Sequence, residues 1–161
     1  MTITKFHQST CIILIAFIFL ASAHTASSQD PWQVTHVVDG DTFYASDSSG
    51  QRIKCRLIGI DTPEYSHFGK PEEPYADDAT EFLYDLIADK KVILEEDVQA
   101  LDRYGRQLVY VYLPDSTFVN AELMKHGWAT TMTISPNVSF ADLFTELQSK
   151  ARKAKRGIWQ D

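Results

Sequence analysis

Residues 32–60 run WQVTHVVDGDTFYASDSSGQRIKCRLIGI. Trp32 to Val38 has strand composition, Asp39-Gly40 signals a turn, and Thr42 to Ala45 resumes the strand. Asp47-Ser48-Ser49-Gly50 marks a second turn. Gln51 to Ile60 then alternates, with Ile53, Cys55 and Leu57 on one face and Lys54, Arg56 and Ile58 on the other. Three strands joined by such short turns form an antiparallel meander. Downstream, Ala79, Phe82, Leu83, Leu86 and Ile87 recur at helical spacing. Val92 to Leu94 and Leu108 to Leu113 are further strands. Asn120 is expected to cap a short helix that stops at Gly127. Ser139, with Asp142 three positions on, is expected to cap a last helix ending at Gly157. Its stripe is Phe140, Leu143, Phe144, Leu147 and Ala151. Five short strands with three interspersed helices predict an α+β, mainly β domain: a five-stranded antiparallel barrel over residues 32–161.

The amino terminus has a different character. Met1 to Thr10 is polar with one Lys and no acid, Cys11 to Ala21 is an unbroken apolar run, and Ala21-Ser22-Ala23 is a small-x-small cleavage pattern. This is the layout of a cleaved signal peptide over residues 1–23, and eleven apolar residues fall short of the roughly 20 a membrane span requires. Residues 24–31 read as a flexible leader. The protein is therefore expected to be secreted or periplasmic, free of the membrane after cleavage, and monomeric.

Composition excludes several classes. The 161 residues are 44% hydrophobic and 23% charged, against a disordered, collagenous or coiled-coil chain. The formal charge of −7 excludes a histone-like basic binder, so any polyanion must be held by a local basic site. Two Cys cannot make a disulfide scaffold, and Cys55, flanked by apolar residues, reads as core. Trp32, Trp128 and Trp159 read as core or rim.

Three clusters carry chemistry: Asp39-Gly40-Asp41-Thr42, Arg56 to Glu64 (RLIGIDTPE), and Asp102 to Arg106 (DRYGR). Singly, each is a turn or helix start. Jointly, Asp41, Asp61 and Glu64 are hard oxygen donors near strand ends, suited to Ca²⁺ or Mg²⁺. Arg56 and Arg106 offer planar forks that match two phosphate oxygens. Carboxylates for a divalent cation beside two guanidiniums suit phosphodiester cleavage. Other sites fail on spacing. Gly50 stands where a calcium loop begun at Asp39 needs Glu. His36, His67 and His126 lack zinc spacing, and no serine-hydrolase elbow occurs. Asn137-Val138-Ser139 matches a glycosylation acceptor.

The stretches VVDGDTFYA, RLIGIDTPE, YGRQLVYVY, VNAELMKHGWA and AKRGIW, in that order, resemble the thermonuclease family of staphylococcal-nuclease-like, calcium-dependent secreted nucleases. The resemblance implies an oligonucleotide/oligosaccharide-binding (OB) barrel of five strands and three helices. It implies Ca²⁺ held by Asp41 and Asp61 side chains and the Thr62 carbonyl, with Glu64 holding or activating water. It implies Arg56 and Arg106 on the scissile phosphate and Tyr104 nearby. It further implies endonucleolytic cleavage of DNA and RNA with little sequence preference, leaving 3′-phosphates. Two departures stand out. Thr130 to Ser135 lacks the nucleotide-packing tyrosines of relatives, and the loop YSHFGKPEEP after Glu64 has Lys70 as its only fixed cation. Fewer cations imply weaker backbone binding. The competing readings are a non-catalytic single-strand-binding module of the same barrel type and an exported structural protein. Neither needs calcium ligands beside two phosphate-reading Arg residues.

Overall fold

The computed structural model describes residues 30–65 and 71–160; the expected signal peptide, most of the leader, and His67 and Lys70 lie outside the described residues. The elements are β1 (Trp32–Val37), β2 (Thr42–Ser46), β3 (Arg52–Leu57), β4 (Gly59–Asp61), α1 (Ala76–Ile87), β5 (Lys91–Glu95), β6 (Gln107–Tyr112), α2 (Val119–His126), β7 (Thr130–Met132), α3 (Ala141–Lys153) and a closing 3₁₀ turn (Gly157–Trp159).

Five strands close into a barrel in the order β1-β2-β3-β6-β5, with β5 returning to β1 through Trp32 opposite Val92. The expected barrel is thus present, with one difference: β3 and β6 run parallel, Arg56 opposite Leu108. Parity demands this, because strand direction cannot alternate all the way round a ring of five. Phe43, Ala45, Cys55, Leu57, Val92, Val109 and Val111 are buried in the core. Helix α1 adds Ala79, Leu83 and Ile87, all fully buried. An aromatic cluster joins the barrel to α2 and α3, with Tyr110 edge-on to Phe140 at 4.6 Å and Phe118 4.9 Å from Phe140. Each fully buried side chain of this size contributes about 1.5–3 kcal/mol.

The single strand expected over Gln51 to Ile60 breaks at Ile58. Its N–H donates to the Val109 carbonyl at 3.0 Å and its carbonyl accepts from Asn120 Nδ2 at 3.0 Å. Gly59 follows with φ +80°, and a Cβ there would lie 2.6 Å from the Phe144 ring. The chain leaves the barrel at this kink and forms a separate two-stranded sheet, β4 with β7, Ile60 opposite Thr131. Simple alternation is lost, and Arg56, Leu57 and Ile58 are all buried.

Three end signals were also misplaced. Asn120 is inside α2 and fully buried; Phe118 occupies the cap position. Its Oδ1 accepts from Val111 N at 3.0 Å while Nδ2 donates to Ile58, so it stitches the helix to β6 and the kink. Phe140, not Ser139, caps α3, and the Ser139 N–H donates to Asp97 Oδ2 at 3.2 Å. Helix α3 ends at Lys153, and Gly157 begins the 3₁₀ turn. For Asn120 and Ser139 a tertiary partner takes the group that would have capped the helix.

Candidate active site

The kink at Ile58–Gly59 sends Asp61 and Thr62 back toward the β1–β2 turn. Gly40 in that turn permits the approach, since a Cβ there would sit 2.7 Å from Thr62 Oγ1 and 3.0 Å from the Ala79 side chain. Thr62 N–H donates to Asp41 Oδ2 at 3.2 Å, and Thr42 Oγ1 donates to Asp41 Oδ1 at 3.1 Å. Asp41 and Thr62 are both buried.

Arg56, at the end of β3 and only 8% exposed, sits between the two acids. One guanidinium nitrogen contacts Asp41 Oδ2, and the other is 2.7 Å from Asp61 Oδ1. Burial pushes the Arg56 pKa below its ordinary value; Asp61 opposes that shift, while Arg106 adds like-charge repulsion. Two guanidiniums therefore share one electrostatic environment. Asp39, in the same turn, accepts from Asp41 N at 3.1 Å. Its carboxyl is raised by burial, against the lowering influence of Arg56 and, more weakly, Lys54.

The loop before β6 supplies the second cation. Asp102 Oδ1 accepts from the Tyr104 and Arg106 N–H groups at 2.8 and 2.9 Å, and Oδ2 accepts from Arg106 Nε at 2.7 Å. Burial would raise the Asp102 pKa, but these hydrogen bonds and the Arg106 charge outweigh it and hold it below the ordinary carboxylate range. Tyr104 is 69% exposed, with Arg103 stacked at 4.7 Å and Arg106 5.6 Å from its ring centroid.

Arg56, Asp61, Glu64, Tyr104 and Arg106 all line one cavity of about 670 Å³. Asp41 and Thr62 stand behind Arg56. Exposed Glu64 is pinned through its backbone: its N–H donates to Glu73 Oε2 at 3.2 Å and its carbonyl accepts from Glu73 N at 3.0 Å. The far wall is Met132, Ile134 and Pro136, with Met132 Sδ 4.0 Å from Arg56 Nη2. Among the described residues no aromatic ring lines this wall.

Among the described residues no three His, Cys, Asp or Glu side chains form a metal cage by themselves. Asp41 and Asp61 nonetheless both direct a carboxylate oxygen at one positive group, Arg56, and a hard-oxygen pair focused on positive charge fits a hard divalent cation. Sequence reasoning missed the positioning roles of Asp102, Glu73 and Asn120. For Asp102 a signal existed, an acid four residues before Arg106 across a Gly turn. For the other two there was none, because their partners, nine or more residues away, follow no local spacing rule. The glycosylation expectation fails: Asn137 is 4% exposed, and its amide donates to Gln99 O and accepts from Gln99 N, both at 2.8 Å.

Comparisons with known proteins agree on one family. The model described as Staphylococcal nuclease homologue matches residues 54–161. A thermonuclease of Staphylococcus hyicus is 35% identical over 143 residues, covering 89% of this chain and 83% of that protein. A thermonuclease of Staphylococcus intermedius is 37% identical over 131 residues, covering 81% and 77%. A probable endonuclease of Schizophyllum commune is 31% identical over 121 residues, covering 68% and 41%.

Proposed function

Because this chain belongs to the staphylococcal nuclease family and is a nuclease that hydrolyses nucleic acid, we propose that it is an exported, monomeric, Ca²⁺-dependent endonuclease of DNA and RNA that leaves 3′-phosphate ends. The observation that carries this reading is the single cavity lined by both guanidiniums and by Asp61 and Glu64. Arg56 and Arg106 bind the scissile phosphate, each fork matching two oxygens, and offset the charge that grows on those oxygens. Glu64 accepts a proton from the attacking water as its oxygen bonds to phosphorus. The bond from phosphorus to the 5′ oxygen breaks, solvent protonates that oxygen, and the phosphate stays on the 3′ side. Arg106 acts electrostatically, since a guanidinium with pKa above about 12 is a poor acid. Asp41, Asp61 and the Thr62 carbonyl would hold Ca²⁺, and the ion would supply Lewis-acid polarisation of a phosphoryl oxygen.

The domain proposed for this activity spans residues 32–161, after a signal peptide over 1–23 and a leader over 24–31. Among the described residues no helix is long and apolar enough to cross a membrane. The test incubates the protein with plasmid DNA and with RNA, in Ca²⁺ or in chelator, and reads the ends by mass spectrometry. Calcium-dependent loss of both substrates with 3′-phosphates is expected. A mobility shift with both substrates intact would replace the reading by a binding module.

A further inference from the structure

Strand β3 carries three cations on one face. Arg52, Lys54 and Arg56 alternate with the inward Ile53, Cys55 and Leu57, so their side chains follow one another about 6.6 Å apart along the strand. The row runs from the buried Arg56, through the half-buried Lys54, to the exposed Arg52. The neighbouring strand presents Thr42, Tyr44 and Ser46 opposite them. Tyr44 is the platform: the Arg52 guanidinium lies 4.1 Å and the Lys54 ammonium 5.7 Å from its ring centroid. His36 of β1 continues the face, its ring 6.3 Å from Tyr44. Arg56, at one end of the row, also lines the cavity, so the row begins where the cavity ends. At its far end lie Asp47 and a second cavity whose lining includes Asp30, Asp47 and Glu96.

We propose that this face is an extension site for the single strand flanking the cleaved bond: Arg52 and Lys54 each bind one phosphate beyond the one held by Arg56. The inference rests on the nuclease reading of the cavity. In a chain of net charge −7, such a row is where a polyanion can lie. One row of cations follows one backbone and not the two of a duplex. The function of Tyr44 is to hold the two cationic heads over the sheet, a cation–π arrangement that limits their rotation.

The test compares wild type with R52Q/K54Q and with the charge-preserving R52K/K54R on a single-stranded 20-mer and on a dinucleotide, which has no flanking phosphate. Loss of both charges should raise the KM for the 20-mer about tenfold and flatten the slope of log KM against log salt by about 1.4. Dinucleotide kcat/KM should stay within twofold, and R52K/K54R should retain wild-type behaviour on both. An unchanged 20-mer KM and salt slope in R52Q/K54Q would overturn the extension site, as would an equal loss on the dinucleotide. Anisotropy of a labelled 20-mer in chelator separates the two readings. Weakened binding by R52Q/K54Q, with no cleavage by wild type in Ca²⁺, would keep the track and reject the nuclease. Wild type that neither binds nor cleaves would reject both.

Discussion

Arg56 combines two tasks, neutralising Asp41 and Asp61 through its two terminal nitrogens and lining the cavity. Lysine can meet only one of those demands at a time. Arg56→Lys is expected to lower kcat/KM about 100-fold, measured by steady-state hydrolysis; a wild-type rate would remove the fork from the mechanism. Glu64→Gln should lower kcat by about 10² to 10⁴ while leaving KM near its original value, because the amide cannot take the water proton. Full activity in that variant would leave Glu64 no role in proton transfer. Cys55 provides a pH prediction of known sign. Burial pushes its thiol from 9.0 up to about 12, so the neutral form is favoured in the folded state. The stability this contributes is complete below pH 9 and is lost as pH rises through about 12. Alkylation of the native protein at pH 8 should therefore be slow and become fast only on unfolding, read by intact mass.

Two positioning devices act through elements. Asn120 holds α2, β6 and the kink together with a fully buried amide. Asn120→Ala leaves the Val111 N–H and the Ile58 carbonyl short of partners and should cost about 2–3 kcal/mol in urea unfolding. Asp102 organises the loop that aims Arg106. Asp102→Asn keeps an acceptor for the two backbone N–H groups and loses the charged partner of Arg106. It should raise KM several-fold and lower Tm modestly, since the charged pair with Arg106 is lost. In wild type the Asp102 carboxyl is held below 3.8, so its contribution to stability is present above that pH and fades as pH falls below it. The elements themselves were largely legible in sequence. Helix α1 follows its apolar stripe, and the turns at Asp39-Gly40 and Asp47 to Gly50 stand where Gly and Asp signalled them. The failures share one cause. Asn120 and Ser139 look like caps because polar residues before apolar runs usually cap, but here the former was recruited by β6 and the latter's backbone by Asp97. The break after Leu57 was invisible because its cause, the Phe144 ring against Gly59, arrives from a residue 85 positions away.

For the molecule as a whole, the proposed calcium site and the net charge are tested by two external variables, calcium and salt. A ligand bound only by the folded state stabilises it by about 2.7 kcal/mol at a hundred times its dissociation constant. Saturating Ca²⁺ should therefore raise Tm, and Asp41→Asn should abolish the increment; an undiminished increment in that variant would move the ion elsewhere. The net charge of −7 opposes any nucleic acid that approaches. Binding of long DNA at low calcium should consequently be weaker than for a basic relative titrated at matched salt, and equal affinity would contradict this.

Chemistry and sequential order were set by the chain alone. Hydrophobic period, turn residues and the types of donor atom are local properties, so the barrel strands, the helices and the candidate acids and guanidiniums could be read without coordinates. Convergence could not. Whether Asp41 reaches Arg56, whether Arg106 faces the same cavity as Glu64, and whether Asn120 ends a helix or braces one depend on which distant surfaces pack. That depends on barrel closure, because a ring of five needs a parallel pair, here β3–β6, and a close approach at Gly59 turns the chain out of the barrel into β4.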